Sequence, residues 1–211
     1  GKSTVVSLLV RHYSPASGFI LLDGEDIQAL ALEQVRAAMG VVPQDAFVFS
    51  ETIAENIAFG LPPRLDSQER IEEAARIARF DDTIADFPSG YQTRLGERGV
   101  NLSGGQRQRA TLARAIARDP VILILDDALS AVDTHTGNEI LENLRHELAH
   151  RTSLIISHRV SAVMNADLIL VLDRGCIVER GTHAELIEAG GLYATLLSRQ
   201  LLEEKLESEL A

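Results

Sequence analysis

Two aspartates lie side by side at the end of an apolar run, in the stretch VILILDDALSAVD from Val121 to Asp133. A run of Val, Ile and Leu is typical of a strand covered on both faces of a parallel sheet, and such sheets bind ligands beyond the carboxyl ends of their strands. Asp126 and Asp127 therefore occupy a place where a functional site is expected. An aspartate in this place can also cap the helix that follows. Capping accounts for one carboxylate and leaves the other unexplained.

The opening residues Gly1-Lys2-Ser3-Thr4 match the second half of the phosphate-binding pattern G-x-x-x-x-G-K-[ST] and run into a helical segment. In that pattern, amides at the helix N-terminus hold phosphates, the lysine reaches the β and γ phosphates, and the hydroxyl ligates Mg²⁺. Four residues are a weak signal alone. A carboxylate that ends an apolar strand is the usual partner of such a loop, where it also holds Mg²⁺, so Asp126 strengthens the assignment. Because the sequence opens with GKST and no methionine, we expect the strand and first glycine of this loop to lie upstream.

The segment LSGGQ, from Leu102 to Gln106, precedes a second helical pattern. Ser103 can cap that helix, and Gly104 and Gly105 allow backbone N–H groups to approach an anion without a Cβ in the way. An ordinary helix start accounts for the serine but not for two glycines, which weaken a first turn.

The composition excludes several classes of protein. The 211 residues suffice for one domain with a core, or for one core and an inserted subdomain. The formal charge is −11, from 31 acidic and 20 basic residues, which argues against a nonspecific nucleic-acid binder because such binding depends on clustered Lys and Arg. No apolar run approaches the ~20 residues of a membrane span. Cys176 is the only cysteine, and we expect it to be a small packed residue rather than a reactive thiol.

Short β-branched runs alternate with helical patterns, which predicts an α/β domain with a largely parallel sheet. The predicted strands are GFILLDG, AAMGVVPQ, VILILDD, TSLIISH and DLILVLD. The last of these is expected to form a hairpin turned at Arg174-Gly175, before a helical tail from about His183. From about Ser50 to Asp119 the alternation stops, and we expect a helical insertion there. Its last helix carries four arginines that we expect to form a solvated face: Arg107, Arg109, Arg114 and Arg118.

LSGGQ followed by RQRATLARAIARDP and then VILILDD resembles the nucleotide-binding domain of ATP-binding cassette (ABC) transporters, and the resemblance covers nearly the whole chain. Other motifs of that family follow in order: VVPQD with Gln44, RLGERG before LSGGQ, SAVD at 130–133, and IISH with His158. The resemblance implies an α/β fold with a P-loop NTPase (RecA-like) core and an inserted helical subdomain at about 50–119. It also implies a single domain over 1–211, truncated at its N-terminus inside the phosphate loop.

The resemblance further implies that the domain binds ATP with Mg²⁺ and hydrolyses it. Mg²⁺ would be held by Ser3, Asp126 and Gln44, and hydrolysis would be assisted by Asp127, His158 and Gln44. The residues implied in ATP binding are Gly1, Lys2, Ser3, Thr4, Ser103, Gly104, Gly105, Gln106 and Asp133. In the family, two such domains pack head to tail, so that LSGGQ of one faces the γ-phosphate held by the other. The other implied partners are transmembrane domains, and the implied location is the cytoplasmic face of the cell membrane.

Two positions depart from the family pattern. Most members have glutamate where this chain has Asp127. The aspartate side chain is one methylene shorter, so its carboxylate lies on the order of 1 Å further from a water placed for glutamate. A misplacement of that size can lower the reaction rate about a hundredfold. By resemblance, such a change is common in exporters built from two different halves, so we expect a different partner subunit. Similar exporters usually have glutamate in place of Arg94. RLGERG resembles the contact loop of exporters and leaves importer-type contact open.

Two alternatives remain. One is a soluble ABC protein without transmembrane domains, and transmembrane helices encoded upstream would decide against it. The other is a regulatory nucleotide-binding half with little turnover, which an ATPase assay on the assembled transporter would distinguish.

Overall fold

Helices and strands alternate along most of the chain in a computed structural model that describes residues 1–62, 67–96 and 101–210. The strands are β1 (Leu21–Leu22), β2 (Glu25–Asp26), β3 (Met39–Val42), β4 (Ile122–Asp126), β5 (Thr152–Ile156), β6 (Ile169–Asp173) and β7 (Cys176–Gly181). The helices are α1 (Lys2–Leu9), α2 (Leu32–Ala37), α3 (Ile53–Ala58), α4 (Gln68–Ile77), α5 (Asp81–Ala85), α6 (Gly104–Ala117), α7 (Thr134–Ala149), α8 (His183–Ala189) and α9 (Leu192–Leu210). Short 3₁₀ turns lie at Gly90–Gln92 and Val160–Ala162.

A parallel sheet with the order β3-β4-β5 forms the centre of the fold. Four of the five residues of β4 are buried, which explains why it reads as a continuous apolar run in the sequence. In the register of the sheet, Val42 lies beside Leu125, and Asp126 lies beside Ile156. The residues that follow β3, β4 and β5 therefore emerge at the same edge. The α/β prediction with a parallel sheet is confirmed, and three of the predicted strands form it.

The predicted strand GFILLDG forms instead a two-residue hairpin outside that sheet, with β1 antiparallel to β2. The turn residues Asp23 and Gly24 have φ of +51° and +86°, as a type I′ turn requires. The Asp-Gly pair was the sequence signal for this turn. The predicted hairpin at Arg174-Gly175 is present, and it joins β6 to β7 with a register shift between Val171 and Leu172.

The largest core cluster packs α3, α4 and α6 against the sheet. Phe80, Ile53, Leu112 and Leu123 are fully buried within it. Burial of such side chains stabilises a fold by roughly 1.5 to 3 kcal/mol each, so this cluster fixes α6 firmly against β4. A smaller cluster joins α1 to β3 through Val6, Val10, Val35 and Met39. Between Ser50 and Asp119 the regular elements of the described residues are helices, apart from an isolated bridge between Thr52 and Arg94.

The side chain of Cys176 is exposed, so the prediction of a packed cysteine was wrong. The cause lies in β7, where the first three residues, Cys176, Ile177 and Val178, are all exposed. The alternation of inward and outward side chains that a half-covered strand would give is absent at this end of the hairpin.

Within the described ranges, no helix is both long enough and apolar enough to cross a membrane.

Candidate functional site

The carboxyl ends of the three parallel strands bring four of the predicted site residues to one edge of the sheet. β4 ends at Asp126 and is followed directly by Asp127. Gln44 comes two residues after the end of β3, and His158 two residues after the end of β5. This edge is where parallel α/β sheets bind their ligands. The Gln44 side chain itself is exposed.

Asp126 is buried, with 6% of its surface exposed, and it lines a cleft of about 370 Å³ together with Ser3, His12, Arg36 and Pro43. Among the described residues, no hydrogen-bond donor reaches its carboxylate. A buried carboxylate without an internal partner needs an external one. A carboxylate and a serine hydroxyl facing one cleft are hard oxygen ligands, the kind that Mg²⁺ takes. The residues therefore fit a divalent cation between Ser3 and Asp126.

Asp127 lies at the same edge of the sheet and contacts His158. Its backbone φ is +51°, in the left-handed region, and its N–H donates to the carbonyl of Ile156 at 2.8 Å. Nδ1 of His158 lies 3.0 Å from the Asp127 carboxylate, so the two predicted catalytic residues are in contact. Asp127 also lines a small cavity beside α7, with Ala128 and Ser157, and does not line the cleft of Ser3 and Asp126. The two neighbouring aspartates thus line different cavities.

The GKST segment begins helix α1, with Gly1 as the N-cap and Lys2, Ser3 and Thr4 in the first turn. All four residues are exposed, and no side chain caps the helix. The first amides of a helix have no partner inside it, and the helix dipole adds partial positive charge there. This helix start can therefore receive an anion beside the cleft that Asp126 lines.

The LSGGQ segment begins helix α6 with a capping box. The hydroxyl of Ser103 accepts from the N–H of Gln106 at 3.2 Å, and the side-chain oxygen of Gln106 accepts from the N–H of Ser103 at 2.8 Å. The predicted cap at Ser103 is confirmed. The side chain of Gln106, predicted to bind ATP, is engaged by its own helix. None of the residues from Ser103 to Gln106 lines the cleft of Ser3 and Asp126.

The second glycine of LSGGQ has a packing role that the sequence did not indicate. A Cβ added at Gly105 would lie 2.8 Å from the carbonyl oxygen of Ala131, closer than real contacts allow. At Gly104 the added Cβ would lie 3.4 Å from the Cβ of Ala131, an ordinary contact. Gly105 is therefore required by the close approach of α6 to the loop that follows β4, and Gly104 is not.

Gln108 and Arg159 are two polar residues that sequence reasoning missed. Gln108 is buried and binds the Ser130–Asp133 loop through both ends of its amide. Arg159 follows His158 and donates to the carbonyls of Ser130 and Val132 at 3.4 Å. A glutamine four residues before the buried Leu112, on the same helix face, was the available signal for Gln108.

Asp133, predicted to bind nucleotide, is the N-cap of α7 and accepts from the N–H of Thr136 at 2.9 Å. Hydrogen bonds from Thr136 lower the pKa of the Asp133 carboxyl below its ordinary value. Asp133 therefore has a structural role at the start of α7.

The predicted solvated face of arginines on α6 was wrong, because none of its four members is exposed and two of them bind distant segments of the chain. Arg114 donates to the carbonyls of Asn56 and Phe47 at 2.7 and 2.8 Å, and its burial lowers its pKa to about 10. Arg109 is half-buried and donates to the carbonyl of Arg79 and, at 3.0 Å, to the hydroxyl of Thr83. Both guanidinium groups hold neighbouring backbone segments against α6. Arg114 thereby fixes the stretch that follows Gln44.

The predicted contact loop RLGERG is described only from Arg94 to Gly96, since residues 97–100 lie outside the described ranges. Arg94 forms an ion pair with Glu51 at 2.7 Å, and backbone hydrogen bonds join Thr93 to Ile53 and Leu95 to Glu51. The loop therefore begins beside the start of α3.

Helix α9 contacts the segment after His158. The side-chain oxygen of Gln200 accepts from the N–H of Val160 at 2.7 Å, and its amide nitrogen donates to the hydroxyl of Ser161 at 3.1 Å. Sequence reasoning placed a helix here and gave no sign of this contact.

Comparison with known proteins agrees with these motifs. Residues 1–130 match the sequence model of the family described as "ABC transporter". The chain is 45% identical to the ATM1-type heavy metal exporter of Novosphingobium aromaticivorans over 211 residues, which is 100% of this chain and 34% of that protein. It is also 45% identical to ATP-binding cassette sub-family B member 6 of Homo sapiens, over 97% of this chain and 24% of that protein.

A solved structure of a bacterial Atm1-family ABC exporter with ATP bound superposes with a TM-score of 0.91 at 45% identity. The superposed region covers 95% of this chain and 35% of the exporter chain. The chain thus spans about a third or less of the length of these relatives. The matched family model, the parallel sheet with its motifs at one edge, and the close superposition lead to one conclusion: the chain belongs to the ABC transporter family and corresponds to the nucleotide-binding region of its exporters.

Proposed function

We propose that this chain binds and hydrolyses ATP·Mg²⁺ to drive export of a substrate across a membrane. The observation that carries the proposal is the cleft at the carboxyl edge of the sheet, where Ser3 of the GKST helix start and the buried, unpartnered carboxylate of Asp126 face each other. That pairing provides cation ligands from two separate motifs in one place. The family membership of the chain agrees with it.

The proposed roles of the residues agree with their positions. Lys2 and the amides of the first turn of α1 would hold the phosphates, and Ser3 and Asp126 would hold Mg²⁺, which neutralises charge on the β and γ phosphates when bound. Gln44, exposed at the same edge, would complete the cation site or orient the attacking water. His158 would contact the γ-phosphate from the end of β5.

The segment from Ser103 to Gln106 would serve a second nucleotide-binding domain in a head-to-tail dimer. The capping box sets the first turn of α6, and Ser103 is exposed at its start. The first-turn amides of this helix can then face the γ-phosphate held by the partner. Asp133, at the start of α7 and joined to α6 through the Ser130–Asp133 loop, would lie near the same contact.

The site of this chain would be the weaker of the two in that dimer, which implies a different partner subunit with a glutamate at the corresponding position. Two observations support this. Asp127 is shorter than the glutamate of most family members, and its carboxylate contacts His158, while Asp127 is not among the residues that line the cleft of Ser3 and Asp126. General-base catalysis typically contributes about 10²- to 10⁴-fold, so a misplaced base leaves most hydrolysis to the other site.

Transmembrane domains would be the other partner, with this chain on the cytoplasmic face of the cell membrane. The support is that two of the similar proteins described above are exporters, and that this chain spans about a third of their length. The charge of −11 disfavours nucleic acid as a partner.

The test is Mg²⁺-dependent ATPase activity of the full-length protein reconstituted with its partner in lipid vesicles. Lys2 is one of two lysines in the chain, so Lys2→Ala and Lys205→Ala form a matched pair. We expect Lys2→Ala to abolish turnover and Lys205→Ala to leave it unchanged. Equal activity in both variants, or activity that does not require Mg²⁺, would contradict the proposal. Full activity without transmembrane domains would favour the soluble alternative.

A further inference from the structure

The side chain of Gln108 is buried and has both polar ends occupied. It is 3% exposed and projects from the second turn of α6. Its amide nitrogen donates to the hydroxyl of Ser130 at 2.9 Å, and its amide oxygen accepts from the N–H of Ala131, also at 2.9 Å. A buried amide is unfavourable unless it is paired, and here the pairing is complete in both directions. Gln108 therefore fixes both the position and the orientation of the Ser130–Asp133 loop.

The backbones of α6 and this loop are in close contact. The carbonyl oxygen of Ala131 lies so close to Gly105 that no side chain fits between them. The hydrogen bonds of Gln108 thus act on two backbone segments that already touch. A shift of the loop must move the first turn of α6, and a shift of that turn must move the loop.

The same loop is attached to the residues of the chain's own site on its other side. The N–H of Ser130 donates to the carbonyl of Asp127 at 3.1 Å. Arg159, next to His158, donates to the carbonyls of Ser130 and Val132 at 3.4 Å. The loop therefore lies between the Asp127 and His158 pair and the helix that begins with LSGGQ.

We propose that Gln108 is a positioning residue that couples the two ATP sites. By holding the Ser130–Asp133 loop against α6, it makes the segment lent to the partner's nucleotide move together with the Asp127 and His158 pair of this chain. This inference rests on the proposed ATPase function. Gln108 is buried and does not line the cleft of Ser3 and Asp126, so we expect its effect to be on the alignment of groups in the closed dimer and to appear in kcat rather than in ATP binding.

The test compares three variants in the full-length protein assembled with its partner. Gln108→Met keeps the length of the side chain and removes both hydrogen bonds. Gln108→Glu keeps both, because the hydroxyl of Ser130 can donate to a carboxylate as readily as it accepts from an amide. Thr111→Val is the control: Thr111 is buried on the same helix, and its hydroxyl bonds to Arg107 and Phe47 rather than to the loop.

We expect Gln108→Met to lower kcat by about tenfold or more, because misplacement of catalytic groups by a fraction of an ångström is costly. Its KM for ATP should stay within about twofold of the wild-type value, since removal of an interaction needed only in the transition state lowers kcat alone. Gln108→Glu should retain most of the kcat, and Thr111→Val should leave it unchanged even if its melting temperature falls.

Equal kcat values for Gln108→Met and Thr111→Val would overturn the proposal, and so would a loss in Gln108→Met that appears in KM alone. If Gln108→Met does not fold, Ser130→Ala replaces it, because that variant removes a single hydrogen bond. A kcat about threefold lower is then expected, and wild-type kcat in Ser130→Ala would overturn the proposal. A wild-type assembly without ATPase activity would instead contradict the proposed function itself.

Discussion

The Asp126 carboxylate at the edge of the parallel sheet and the polar side chains in the first turns of α6 differ in whether their own chain binds them. At the sheet edge, Asp126 is buried with no donor from the described residues, and it faces a cleft. On α6, the side chains of Ser103, Gln106 and Gln108 are all bonded to their own chain. The first region is prepared to take an external ligand, whereas the second is a preformed surface whose shape is fixed before any partner arrives.

The unpartnered carboxylate at the sheet edge gives the largest expected effect. Asp126→Asn removes the charge that would hold Mg²⁺, and metal ions contribute several kcal/mol to such reactions, so ATPase turnover should fall by about 100-fold or more. Asp173→Asn is the matched control, because Asp173 also ends a strand and is exposed there. Steady-state ATPase assays on the full-length protein measure both. If ATPase turnover fell equally in the two variants, Asp126 would have no special role compared with an exposed aspartate at the end of another strand.

A negative charge introduced in the first turn of α6 tests whether this surface meets the partner's nucleotide. Gly104→Asp would place a carboxylate against the partner's γ-phosphate, and like charges in contact cost several kcal/mol, so turnover should fall by at least about tenfold while ATP still binds at Lys2 and Ser3. Gly104→Ala is the control, since a Cβ there meets Ala131 at an ordinary 3.4 Å. Nucleotide binding is followed by calorimetry and turnover by ATPase assay. Near wild-type turnover in Gly104→Asp would mean that LSGGQ does not act across a dimer.

Internal bonding on α6 also predicts an effect on stability rather than on catalysis. Arg114→Met removes the donor to the carbonyl of Asn56, which is buried, and one donor to the carbonyl of Phe47, and we expect the free energy of unfolding to fall by about 2 to 3 kcal/mol. Arg145→Met, on the exposed side of α7, should change it by less than about 0.5 kcal/mol. Guanidinium chloride denaturation monitored by circular dichroism compares the two. Equal free energies of unfolding for the two variants would mean that Arg114 contributes no more to stability than a solvated arginine.

The smallest effect concerns the cap of α7. Asp133→Ala should cost about 1 kcal/mol of stability at neutral pH, because an N-cap is lost. The pKa of Asp133 is lowered in the folded protein, so the contribution of its charge is present above the ordinary value of 3.8 and is lost as the pH falls through the folded pKa. The difference between wild type and Asp133→Ala should therefore shrink below pH 3.8. An unchanged difference at low pH would show that the charge is irrelevant to the cap.

Residue types and spacing were enough to predict the elements that carry the site. Buried parallel strands read as apolar runs, and the motifs that follow them converge because parallel strands end at one edge. The bonds that hold these elements together could not be predicted. Gln108 and Ser130 are 22 residues apart in sequence, and Arg114 and Phe47 are 67 apart. A polar residue on a helix gives no sign of which distant backbone group it will meet, so these residues read as surface.

Asp126 and Asp127 line different cavities, and one measurement tests most directly whether Asp127 is a weakened catalytic base. Steady-state ATPase activity of the reconstituted full-length protein should be compared for wild type, Asp127→Asn and Asp127→Glu. We predict that Asp127→Asn stays within about threefold of wild type, because a base already out of place has little of its usual 10²- to 10⁴-fold contribution left to lose. Asp127→Glu should equal or exceed wild type if the longer carboxylate reaches the water. A collapse of activity in Asp127→Asn alone would show that Asp127 is a working base and would contradict the account.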